Sequence, residues 1–233
     1  HGDFDLTVNA LELAKVLKFN NGDFKWIGGD TYVVQVGDQV DNCRPLEKKC
    51  GEKDELSSDL SSGSKYTYKN ELPEDVRVME FLNDLGKQAA STGGAVISLL
   101  GNHELMNSDG NMSHVSYEDL LKLSKKERIE SFKPGGQYAK LLACSRLPAV
   151  IIGSFIFVHA GFIEPFMKHL RLKDRDDLYK ISVTLRKWLL GLIDKNNVVN
   201  IIMSAPHSMF WNRILGAIPP NMSNNHPDCV SLV

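Results

Sequence analysis

Three short polar clusters, each directly behind a run of β-forming residues, limit what this chain can fold into more than any other feature. Residues 31–36 (TYVVQV) stop at Gly37-Asp38-Gln39-Val40-Asp41-Asn42, and residues 95–100 (AVISLL) stop at Gly101-Asn102-His103-Glu104. Residues 149–152 and 155–158 flank Gly153-Ser154, a two-residue hairpin signal, and the second arm delivers His159-Ala160-Gly161. Such runs read as buried strands feeding loops. Loops at the carboxyl ends of strands in α/β folds gather at one edge of the sheet, so the three clusters can converge. Their side chains are Asp, Asn and His, the oxygen and imidazole donors that suit Mn, Fe or Zn. A glycine beside each allows a tight turn and close backbone approach.

Helical patterns separate these strands. Leu11, Ala14 and Leu17 fall on one face of an amphipathic stretch behind the polar residues 1–5. Pro73 opens a helix running through Ala90, with an apolar stripe of Val76, Met79 and Leu82 or Phe81. A second pattern spans residues 117–132, and residues 176–192 form an amphipathic helix with Trp188 and Leu189 inward. Residues 44–70, rich in Lys, Glu, Ser and Gly and without periodicity, read as an exposed insertion loop. Strands alternating with helices, followed by a hairpin, predict one α/β domain over residues 1–233, a sandwich of sheets covered by helices.

At 233 residues, 42% hydrophobic and 24% charged, the chain can bury a substantial core. A net charge of −2 gives no global pull towards nucleic acid or anionic membrane, so neither is an expected partner. No apolar run approaches the roughly 18–20 residues a bilayer requires, and a cytoplasmic location is expected. Of the four cysteines only Cys43 and Cys50 are close enough in sequence to close a loop; all four are expected as reduced thiols. Cys43, near the clusters, would be redox-sensitive if its pKa were depressed.

The ordered motifs resemble the metallophosphoesterases, and within them the phosphoprotein phosphatases. That family's GDxHG, GDxxD, GNHE and HxG signatures are matched by His1-Gly2 (the end of the first), Gly37-Asp38-Gln39-Val40-Asp41, Gly101-Asn102-His103-Glu104 and His159-Ala160-Gly161. Pro134-Gly135-Gly136, the helix end Arg186-Lys187-Trp188-Leu189-Leu190-Gly191 and Phe210-Trp211-Asn212-Arg213 are similar to its Shewanella-like branch. The resemblance implies a calcineurin-like αββα sandwich and two divalent metal ions (Mn, Fe or Zn). Asp38 would bridge them, with His1 on the first and Asn102 and His159 on the second. It implies a serine/threonine or tyrosine protein phosphatase using a metal-activated hydroxide on a phosphoprotein substrate. His103, facing away from Asn102 along an extended chain, would be the general acid supported by Asp41, and Arg213 and Arg44 would fork onto the phosphate. The family's arginine in the second motif stands two positions earlier than Arg44.

The resemblance also implies an aspartate two residues before His1 and a late histidine in a VGHT-like segment. Neither is in the chain, which therefore reads as cut at both ends and is expected to bind metal weakly by itself. Other outcomes for the same motifs are a dinucleoside-polyphosphate or other small-molecule phosphoesterase, and a pseudophosphatase scaffold. Taken singly, Asp38 and Asp41 fit a loop that caps the next segment, and Arg213 fits a structural ion pair. His114, His169, His207 and His226 read as surface or loop histidines, and Trp26, Trp188 and Trp211 as core anchors.

Overall fold

In a computed structural model, residues 1–43, 50–52, 64–204, 207–223 and 225–227 are described; Arg44 and most of the expected insertion lie outside them. The chain runs through α1 (Phe4–Leu13), β1 (Leu17–Asn20), β2 (Asp23–Trp26), β3 (Tyr32–Gln35), α2 (Glu74–Ala90), β4 (Ala95–Leu99) and α3 (Asn102–Ser108). It continues through α4 (Tyr117–Lys122), α5 (Lys125–Phe132), α6 (Gln137–Ser145), β5 (Arg146–Leu147), β6 (Ala149–Ile152) and β7 (Phe155–Val158). Helices α7 (Glu164–Leu170), α8 (Arg175–Leu189) and α9 (Asn197–Ser204) follow.

Val33 and Val34 of β3 pair in parallel with Val96 and Ile97 of β4. That register ends both strands at the same level, so Gly37-Asp38 and Gly101-Asn102 leave the sheet side by side. The short β5 pairs in parallel on the other side of β4, giving the order β3-β4-β5. The β6–β7 hairpin turns at Gly153, whose φ of +59° suits glycine, and forms its own two-stranded sheet.

Helix α2 separates two cores. Its Val76 and Met79 join Leu105, Phe132, Leu142, Leu185, Trp188 and Ile202 from the helices beyond the sheet. Its opposite face, Val78, Phe81, Leu82 and Leu85, packs on Phe4, Val8, Leu17 and Trp26. Glu74 and Asp75 in its first turn and Lys87 in its last complement the helix dipole. Among the described residues, no helix is long and apolar enough to cross a membrane.

Several local expectations change. The first helix stops at Leu13, Ala14 is exposed, and Leu17 starts a strand instead of extending the helical stripe. Lys15 turns the chain with φ +58°, and Asn21-Gly22, both at positive φ, close the β1–β2 hairpin that captures Leu17. Residues 117–132 are two helices, because Ser124 caps α5 through a box with Glu127. Within the expected exposed loop, Tyr66 is fully buried against the second core, its hydroxyl bonded to Asn9 and Glu12. Cys43 and Cys50 are not thiols: they form a disulfide, their Cα atoms 5.7 Å apart and within the reach such a bond requires. Cys144 is free and exposed.

Candidate active site

The loop leaving β3 takes a conformation that side chains disfavour. Gly37, Asp38 and Asp41 have φ values of +94°, +58° and +66°. Glu104, fully buried on α3, holds it: its carboxylate accepts from the backbone N–H groups of Asp38 (2.9 Å), Gln39 (2.5 Å), Val40 (3.3 Å) and Gly101 (2.6 Å). Burial, reinforced by the charge of Asp38, pushes the Glu104 carboxyl above its usual range, against the pull of those donors. In the sequence Glu104 is only the last residue of the Gly101-Asn102-His103-Glu104 motif, and no local signal marks it as this clamp. Backbone meets backbone beside it, since a Cβ on Gly37 would lie 2.5 Å from the Gly101 nitrogen.

His159 reaches the same point from β7. Its Nδ1 lies 2.7 Å from the Val36 carbonyl oxygen. A carbonyl only accepts, so Nδ1 carries the hydrogen and Nε2 of the neutral ring presents a lone pair. That Nε2 stands 3.3 Å from Asp38 Oδ2 and 2.9 Å from Asn102 Oδ1. His1 Nε2 approaches Asp38 Oδ2 at 3.4 Å, while the His103 backbone N–H donates to Asp38 Oδ1 at 3.1 Å. A carboxylate, an amide oxygen and two imidazole nitrogens therefore converge, a donor set that fits a divalent first-row cation. Outer hydrogen bonds of the His159–Val36 kind are what fix a ligand's tautomer. The protein's own electrostatics express the same demand for positive charge. Burial alone would raise the Asp38 carboxyl, but the hydrogen bond and charge of His159 outweigh it and hold it below the usual range. Burial opposes the His159 imidazolium, and Asp38 overrides it and raises the ring's pKa.

His1, Asp38 and His103 each bring one ligand-type atom within 4.8 Å of the others. His103 differs from the other two because its Nδ1 is engaged by Asp41 Oδ2 at 2.8 Å. The backbone that aims it is not extended: Asn102 and His103 begin α3, and successive helical residues splay about 100° apart. Asp41 is completely buried, and Asn107 Nδ2 lies 3.0 Å from both its carboxylate oxygens. Arg128 of α5, also fully buried, approaches Asp41 at 3.5 Å and forks onto Asp75 at 3.1 and 2.5 Å. Asn107, Arg128 and Asp75 were missed in the sequence. Asn107, one turn beyond His103, had a helical-spacing signal; the other two become neighbours only through tertiary packing.

His114 lies in the loop between α3 and α4, as its reading has it, but is half-buried there with its ring 4.8 Å from that of His103. Arg213 is exposed and donates to the Trp211 and Asn212 carbonyl oxygens at 3.1 and 3.2 Å. It makes no ion pair among the described residues. Its segment is tied to the His159 loop, since Asn212 Nδ2 donates to the Gly161 carbonyl at 2.7 Å and Ala160 N–H to that of Met209 at 2.9 Å. Trp211 is 37% exposed, so it is not a core anchor as Trp26 and Trp188 are.

This arrangement, strand-end loops of an α/β sandwich converging Asp, Asn and His side chains, defines a metallophosphoesterase. Residues 1–215 match the calcineurin-like phosphoesterase family, and the chain belongs to it. It is 38% identical over 173 residues to uncharacterized protein R398 of Acanthamoeba polyphaga mimivirus, covering 66% of this chain and 69% of that protein. It is also a homologue of Shewanella-like protein phosphatase 2 of Arabidopsis thaliana, 22% identical over 82% of this chain and 50% of that one. The chain thus spans about half the length of that phosphatase. A solved structure of the cold-active protein-tyrosine phosphatase of a Shewanella species superposes with a TM-score of 0.66 at 18% identity, covering 99% of this chain and 59% of that one. The fold is accordingly the αββα sandwich of metallophosphoesterases, and family members generally use divalent metals.

Proposed function

We propose that this protein is a metal-dependent phosphomonoesterase acting on phosphoserine and phosphothreonine in proteins, with phosphotyrosine as a further ester class. The observation that carries this reading is the His103–Asp41 pair, 2.8 Å apart, beside the lone-pair cluster of Asp38, Asn102 and His159. In this reading His1, Asp38, Asn102 and His159 are the side chains that would hold the divalent cations. Bound divalent cations would neutralise phosphoryl charge and acidify an attacking water.

The rest of the chemistry belongs to the chain's own side chains. Asp41 fixes His103 Nδ1–H, leaving Nε2 as the atom that delivers a proton to the departing alkoxide. Arg213, on the segment tied to the His159 loop, is the side chain proposed to fork onto phosphate oxygens. The names of the two phosphatases similar to this chain favour a phosphoprotein substrate over a small molecule.

The test is turnover of phosphoserine, phosphothreonine and phosphotyrosine peptides and of a dinucleoside tetraphosphate, with added Mn²⁺ and with chelator, for the wild type and Asp38→Asn. Metal-dependent peptide hydrolysis lost in Asp38→Asn supports the proposal. Preference for the dinucleotide would move the function to small-molecule esters, and metal binding without turnover of any ester would make the chain a scaffold.

A further inference from the structure

The proton-donating pair stands inside a buried frame assembled from three helices, and the frame is more elaborate than a carboxylate–histidine contact needs. Asp41 receives His103 Nδ1 at 2.8 Å on Oδ2 and the Asn107 amide at 3.0 Å on both oxygens. Its own backbone N–H donates to Asp75 Oδ2 at 3.1 Å. Arg128 Nε donates to Asn107 Oδ1 at 2.8 Å. Because a guanidinium only donates, this contact dictates which end of the Asn107 amide faces Asp41. Asn107 Nδ2 also reaches the His103 carbonyl oxygen at 3.0 Å, closing the ring of contacts. Arg128 is itself clamped by the two-pronged bond to Asp75, and all four of Asp41, Asp75, Asn107 and Arg128 are fully buried.

We infer that Asn107 and Arg128 are positioning residues for proton delivery: Arg128 orients the Asn107 amide, and Asn107 holds Asp41 at the angle that keeps His103 Nε2 directed at the leaving group. The inference rests on the phosphatase reading above, in which His103 is the acid. Neither residue touches the donor cluster of Asp38, Asn102 and His159, so loss of either leaves the metal ligands in place. A ring freed by even a fraction of an ångström lowers proton-transfer efficiency, while attack on phosphorus continues.

The experiment compares a phosphoserine peptide, whose alkoxide leaves poorly without a proton, with p-nitrophenyl phosphate, whose phenolate leaves readily. Wild type, Asn107→Ala, Arg128→Lys and His103→Asn are assayed in the metal-loaded protein, with bound metal measured for each. Asn107→Ala is expected to lower kcat on the peptide about tenfold or more and on the nitrophenyl ester less than about threefold, with KM and metal content unchanged. Arg128→Lys, which keeps the charge and loses the fork, should move in the same direction. If Arg128→Lys does not fold, Asn107→Ala decides alone, because it leaves the Arg128–Asp75 clamp intact. Equal losses on both substrates, or none on either, overturn the inference. A substrate split in His103→Asn without one in Asn107→Ala overturns the inference alone, whereas no split in His103→Asn overturns the reading of His103 as the acid along with it.

Discussion

A methyl group built on Gly101 would lie 2.1 Å from Asp38 Oδ1, so glycine and carboxylate share one space and the second cannot stay where it is unless the first has no side chain. Gly101 has φ −113°, an ordinary backbone value, so this glycine is required by proximity and not by conformation. Gly101→Ala should therefore displace Asp38 and cost about 1–3 kcal/mol from overpacking. Chemical denaturation together with metal titration checks it; unchanged stability and unchanged metal affinity would contradict the contact.

Glu104→Gln should destabilise the protein by about 1–3 kcal/mol, because an amide NH₂ would face backbone N–H groups that now share a carboxylate. The damage should be local. Hydrogen exchange at Asp38, Gln39, Val40 and Gly101, the four residues whose N–H groups it binds, should accelerate more than in either core. Uniform acceleration across the chain would refute a loop clamp.

Asp119 gives a pH dependence. Burial and the charge of Asp75 push its carboxyl from an ordinary 3.8 up to about 8. The folded state then keeps a proton that the unfolded chain releases, so this group makes stability fall as pH rises from about 4 to about 8 and adds no further slope above that. Asp119→Asn, which keeps an acceptor for the Glu74 N–H, should remove that slope and raise the melting temperature more at pH 9 than at pH 4. An equal effect at both pH values would count against a neutral Asp119.

The Cys43–Cys50 disulfide closes a loop of seven residues' separation immediately behind Asp41. Closing so short a loop contributes about 2–3 kcal/mol in the chain-entropy model. Reduction, or Cys43→Ser with Cys50→Ser, should lower stability by about that amount. A reductant titration followed by thermal melting measures it, and an unaltered melting curve would show that the loop is held by other means.

Much of the fold and the centre of the candidate site could be read from the sequence because both rest on local signals. TYVVQV and AVISLL become β3 and β4, the Gly153-Ser154 turn becomes the β6–β7 hairpin, and Asp38, Asn102, His103 and His159 meet where strand-end loops converge. What escaped has non-local causes. Leu17 had helical spacing from Leu11 and Ala14, yet the Asn21-Gly22 turn captured it for a strand. Asn21-Gly22 is itself a strong hairpin signal that the helical period masked. Tyr66 lies in a polar segment whose composition gives no hint that one aromatic is drawn into a core. Arg128 and Asp75 lie 53 residues apart in sequence, and no periodicity links them. The disulfide depends on Cys43 and Cys50 coming within 5.7 Å of each other at their Cα atoms, which composition does not encode.

The hydrogen bond from His159 Nδ1 to the Val36 carbonyl joins two sheets that share no strand pairing among the described residues, for Val36 follows β3 and His159 follows β7. Asp38 and Asn102 are mounted on one sheet and His159 on the other. A single imidazole is thus both a donor to the cluster and a rivet across the seam of the sandwich. Anything that draws the lone pair of its Nε2, a proton or a cation, polarises the ring and strengthens the bond at Nδ1. A cation held at the centre would therefore be coupled to the cohesion of the two layers through one five-membered ring.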